Sequence, residues 1–133
     1  MPSFSKVSHT SFSVRDAERS AAFWRETLGF VDLELVSGAG WHGVVLLHPG
    51  TATVLEVQQH DANAGDTFDP ARTGFDHLGF KVDDPAELDD WQAHFERLAV
   101  DHTPVVQRDY GAVLTFRDPD GIQFEMFFRE GHP

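Results

Sequence analysis

At 133 residues, 41% hydrophobic and 12% aromatic, the chain can bury one core, and a single domain built from two half-sized modules is expected. Ten basic against 22 acidic residues give a net charge of −12 spread along the sequence, a field that repels phosphate backbones and anionic lipid and argues against nucleic-acid or membrane partners. With no cysteine, disulfides and thiolate ligands are excluded, so metal donors must come from histidines and carboxylates.

No apolar run approaches membrane length, and the stretch Met1-Pro2-Ser3-Phe4-Ser5-Lys6 lacks the hydrophobic core of a signal peptide, so a cytoplasmic protein is expected. The first expected strand covers about residues 5–14, with Val7, His9, Ser11 and Ser13 on one face and Thr10, Phe12 and Val14 on the other. Asp16 is placed to cap a helix over 17–28, where Ala21, Trp24 and Leu28 recur at helical spacing and Gly29 supplies the stop. Three strands follow as a meander, over about 30–36, 41–47 and 51–58, with turns at Ser37-Gly38-Ala39-Gly40 and His48-Pro49-Gly50.

A polar stretch without apolar periodicity, about 59–73, then joins this module (about 5–58) to a second one (about 74–129). The second module opens with a strand over 75–82, and Asp84 before Pro85 starts a helix to about Ala99 with the stripe Leu88, Trp91, Phe95 and Leu98. Strands over 103–107, 112–116 and 122–129 complete it, the last two joined by the tight-turn sequence Asp118-Pro119-Asp120-Gly121. Each module is therefore βαβββ. The class is α+β, and a cupped, mixed eight-stranded sheet with both helices on its outer face is expected.

The modules also repeat their chemistry. The pattern His-x-x-Phe-x-Val-x-Asp occurs at His9 and again at His77, 68 residues on; Glu56 follows His9 by 47 residues and Glu125 follows His77 by 48. A histidine and a glutamate recurring at matched places mark a duplicated unit. Strand alternation turns Glu125 away from Phe124, Met126 and Phe128, and Glu56 away from Leu55 and Val57, so all four residues are expected on the sheet face opposite the helices. Taken singly, each has an ordinary surface explanation; their common register is what argues for a site. His9, Glu56, His77 and Glu125 are thus the expected ligands of one divalent metal, and Zn, Ni, Fe, Co and Mn all suit such a donor set. Trp41 and Tyr110, beside turn segments, are candidate walls of a substrate pocket. Trp24 and Trp91 are expected in the core, and the other histidines in solvent.

These residues resemble those of the vicinal oxygen chelate superfamily, which contains glyoxalase I, extradiol dioxygenases, fosfomycin-resistance transferases and bleomycin-resistance proteins. The resemblance runs from His9 to Glu125 and rests on His9-Thr10 with Val14-x-Asp16, Phe23-Trp24-x-x-x-Leu28-Gly29-Phe30, Asp76-His77 with Phe80-x-Val82, and Phe116-Arg117-Asp118-Pro119-Asp120-Gly121 leading to Phe124-Glu125. It implies a small-molecule substrate whose two adjacent oxygens chelate the metal bound by the four ligands. The complete ligand set most resembles glyoxalase I, which implies a lyase or isomerase in which Glu56 or Glu125 moves the substrate proton. Two departures set it apart from glutathione-dependent members. Ser13 stands where an arginine commonly binds the thiol's carboxylate, and Val57-Gln58-Gln59-His60 replaces the usual Leu-Thr and nearby Asn. The alternatives are an Fe(II) extradiol-type dioxygenase and a non-catalytic, drug-sequestering binder of bleomycin-resistance type. A homodimer is expected, because short modules tend to cover sheet edges with a copy of themselves.

Overall fold

Parallel pairing of the first and last strands builds each half of the protein, seen here in a computed structural model that describes residues 1–132. The chain divides into two compact units, Met1–Asp66 and Thr67–Pro133. In the first unit, β1 (Thr10–Ser13), α1 (Ala17–Leu28), β2 (Val31–Gly38), β3 (Trp41–His48) and β4 (Thr53–His60) give a sheet in the order β1-β4-β3-β2. β1 runs parallel to β4 and the other neighbours are antiparallel. The helix bounds follow from local chemistry. The Asp16 carboxylate accepts a hydrogen bond from the Arg19 amide at 2.9 Å, and Gly29 takes the left-handed conformation (φ 75°) that closes the last turn.

α1 lies over β3 and β4 and buries Ala21, Trp24 and Leu28 against Phe12, Val44, Leu46, Leu55 and Val57. Trp24 is the centre of this core, stacked on Phe12 at 6.4 Å and meeting Phe30 edge-on at 5.4 Å. Arg25 links the helix to β2 through Asp32 at 2.9 Å and also pairs with Glu18. The Asp32 hydrogen bond, then that of Glu18, raises the guanidinium further above its ordinary value, so this link stays charged throughout any working pH.

The second unit repeats the plan. β5 (Leu78–Lys81), α2 (Ala86–Leu98), β6 (Val106–Arg108), β7 (Gly111–Arg117) and β8 (Gln123–Phe128) give the order β5-β8-β7-β6, with β5 parallel to β8. Asp84 accepts from the Ala86 amide at 2.9 Å, so the acid expected to open this helix does so across Pro85. α2 packs on β7 and β8 through Leu88 and Phe95, and Phe95 meets Phe116 at 4.7 Å between ring centroids. Trp91, expected in the core, is only half-buried, at the margin of the helix's apolar stripe. The Asp118 carboxylate shapes the last turn by accepting from the amides of Asp120 and Ile122 at 2.9 and 2.8 Å.

One end of α2 departs from the pattern of α1. Its closing residue is Ala99, held at φ 54° where the first module uses glycine. Replacing Ala99 by glycine relieves that strain and is expected to raise stability by about 0.5–1 kcal/mol, readable as a shift of the urea midpoint with unchanged slope.

The architecture is the α+β arrangement of two βαβββ modules, the eight strands among the described residues forming two four-stranded mixed sheets. Among the described residues, no helix is long and apolar enough to cross a membrane.

Candidate metal centre

Register places the four expected ligands more exactly than the sequence does. Glu56 in β4 pairs with Ser11 of β1, and Glu125 in β8 pairs with Gly79 of β5. In each module, then, the glutamate stands beside the residue two positions after the histidine. Both histidines fall just before their short strands, β1 beginning at Thr10 and β5 at Leu78. The alternation is as expected: Leu55, Val57, Phe124 and Met126 are buried against the helices, while Glu56 and Glu125, on the other face, are half-buried.

In the second unit the pair meets. His77 Nε2 lies 3.5 Å from Glu125 Oε2, with 45% of the histidine side chain and 22% of the glutamate side chain exposed. Two donors bound tetrahedrally to one small cation, each about 2.0–2.2 Å from it, stand roughly 3.3–3.6 Å apart, so this pair has the spacing that shared coordination requires. Behind His77, the Asp76 carboxylate lies 2.6 Å from Nδ1. Gly79 leaves the space beside Glu125 open, with nothing within 4 Å of where a Cβ would sit.

In the first unit His9 is exposed, and its Nδ1 is 2.9 Å from Ser8 Oγ. Glu56 reaches toward Gly43 of β3, where a Cβ would sit 3.5 Å from Glu56 Oε1 and 2.6 Å from the Val57 carbonyl oxygen. Gly43 is therefore required by backbone contact, and it keeps the Glu56 carboxylate clear. Among the described residues, no group of three or more His, Asp or Glu that could hold a metal ion is gathered. Within the second unit the structure thus brings together His77 and Glu125.

Trp41 opens β3 on the Glu56 face, paired with His60 and Gly38, and its indole lies directly over Gly38, so that an added Cβ there would force the ring to shift. That contact gives Trp41 a part in holding the β2–β3 turn. Tyr110 precedes β7, is 52% exposed, and lies 6.2 Å from Phe127, which shares a face of β8 with Glu125. Sequence reasoning missed Asp76 and Ser8 as partners of the histidines. The signal was present, since a polar residue immediately precedes each one, but an adjacent pair says nothing about contact until the backbone is known. It also missed a depression of about 520 Å³ in the second unit, lined by Lys81, Asp83, Glu87, Asp90, Trp91 and His94.

The family model for the Glyoxalase/Bleomycin resistance protein/Dioxygenase superfamily matches residues 6–126, which takes in all four residues. The chain belongs to that superfamily. Among solved structures, the superfamily domain from Frankia sp. EAN1pec is 31% identical with a TM-score of 0.88, over 96% of this chain and 100% of that one. The fosfomycin resistance protein FosX of Listeria monocytogenes, in a complex with Mn(II) and a dihydroxypropylphosphonic acid, shares the superfamily fold at a TM-score of 0.70 and 21% identity, over 94% and 90% of the two chains. A putative ring-cleaving dioxygenase, MhqA of Bacillus subtilis (strain 168), is 26% identical over 93% of this chain; the match spans 40% of that relative's length.

Proposed function

We propose that this superfamily member is a metal-dependent enzyme acting on a small substrate with two adjacent oxygens, a lyase or isomerase of glyoxalase-like type. His9, Glu56, His77 and Glu125 are its metal ligands, one His/Glu pair from each module. The observation that carries this reading is the His77–Glu125 pair at coordinating separation, repeated in register by His9 and Glu56. Zn, Ni, Fe, Co and Mn all suit two imidazoles and two carboxylates. When bound, such an ion supplies a positive charge for the negative charge developing on the substrate oxygens.

The chain's own groups do the rest. Both glutamates stand on the face away from the helices, half-buried, where a carboxylate can accept and return a proton at a carbon next to the chelating oxygens. The short polar side chain of Ser13, with no cation at that place, fits a substrate lacking the anionic thiol of glutathione. A homodimer belongs to the same reading, supported by edge strand β2, on which Leu33 and Leu35 are 56% and 77% exposed.

A second reading, a ring-cleaving dioxygenase using Fe(II), is favoured by the similarity to MhqA. The two part on oxygen. The first predicts isomerisation or cleavage of 2-oxoaldehyde adducts under argon, with the metal-reconstituted protein. Oxygen uptake with catechols, strictly dependent on ferrous iron, would transfer the assignment to the second reading. Tight binding of a cationic antibiotic by protein that takes up no metal would leave only a sequestering role.

A further inference from the structure

The two histidines do not have equivalent support. Asp76 Oδ1 lies 2.6 Å from His77 Nδ1, whereas the matching position in the first module is Ser8, whose hydroxyl lies 2.9 Å from His9 Nδ1. An ionised carboxylate only accepts hydrogen bonds, so a contact this short requires the proton on Nδ1 and leaves a neutral ring's Nε2 lone pair directed at Glu125. A serine hydroxyl both donates and accepts, so Ser8 is satisfied by either form of His9. The Asp76 backbone is itself tied to the strand of Glu125, since its carbonyl accepts from Gln123 Nε2 at 3.4 Å. We infer that Asp76 is a positioning residue that presets His77 as a ligand through Nε2, while Ser8 leaves His9 adaptable, so that the duplicated modules have diverged into one fixed and one adjustable imidazole.

This rests on the metal reading for its purpose but not for its test. A free imidazole favours the proton on Nε2, so a preset His77 is visible in the metal-free full chain by long-range nitrogen–carbon NMR correlations at about pH 9, well above the ordinary imidazole range. The expected spectrum shows His77 protonated on Nδ1, reverting to Nε2 in Asp76→Ala, while His9 keeps the same protonated nitrogen in Ser8→Ala. Asp76→Asn, which retains an amide oxygen as acceptor, is expected to keep His77 largely in the Nδ1 form, showing that the acceptor matters rather than the bulk. In Co²⁺ competition titrations Asp76→Ala lowers affinity by about 10–100-fold, as lost outer-shell partners do, and Ser8→Ala by less than about threefold. A His77 protonated on Nε2 in the wild type, or one indifferent to Asp76→Ala, overturns the inference. If the tautomers behave as stated but no metal binds, the positioning role stands and the metal reading fails instead.

Discussion

Gly111→Ala is expected to destabilise the protein by more than about 3 kcal/mol, the largest effect among the glycine-to-alanine changes, and to show it as a collapse of the urea midpoint. Two independent costs combine. Gly111 has φ 151°, a conformation essentially closed to residues with a Cβ. An added Cβ would also collide with the Phe128 carbonyl oxygen and come within 3.1 Å of the Phe128 carbonyl carbon and 3.2 Å of Arg129 Cα. None of these is the movable end of a flexible side chain, so the β7–β8 pairing itself must give, and β8 carries Glu125. Gly29→Ala serves as the comparison. That glycine is left-handed too, but nothing lies within 4 Å of its would-be Cβ, so only the conformational cost of about 1 kcal/mol is expected. Equal losses in the two variants would refute the steric account of Gly111.

The second large effect is on metal binding. His77→Ala and Glu125→Gln are each expected to weaken binding more than about 100-fold, since even an outer-shell partner costs 10–100-fold. Stability without metal separates a ligand from a structural group. Both side chains are partly solvated and lie outside the helix-packed core, so the apo variants should unfold within about 0.5 kcal/mol of the wild type. Loss of metal together with a collapse of apo stability would show that the residues hold the sheet, not an ion. His9→Ala and Glu56→Gln are expected to act in the same direction.

Much of this was legible in the sequence, for identifiable reasons. α1 falls at Ala17–Leu28 as expected because both ends carry explicit chemistry, an aspartate cap and a glycine stop. The sheet faces were legible because Leu55, Val57, Phe124 and Met126 alternate with polar neighbours. The strands that follow the histidines are shorter than expected, and leave His9 and His77 just outside them. Parallel pairing occupies only four residues on each side, Leu55–Gln58 against β1 and Phe124–Phe127 against β5. The strand expected over 103–107 begins only at Val106. Thr103 instead donates its amide to Thr115, and His102 forms an isolated bridge to Phe116. The left-handed Ala99 has no sequence signal, because alanine ordinarily continues a helix. The hydrogen bond of Asp76 to His77 was hidden for a different reason: adjacent residues on a strand point to opposite faces, and only the irregular backbone before Leu78 lets the two meet.

The most direct test of the metal account is elemental analysis of the purified full chain after reconstitution with Mn, Fe, Co, Ni or Zn, with anomalous scattering to locate the ion. The account predicts one tightly held ion per chain, its signal lying against His9, Glu56, His77 and Glu125. Substoichiometric metal with every ion offered, or an anomalous peak away from those side chains, would contradict it.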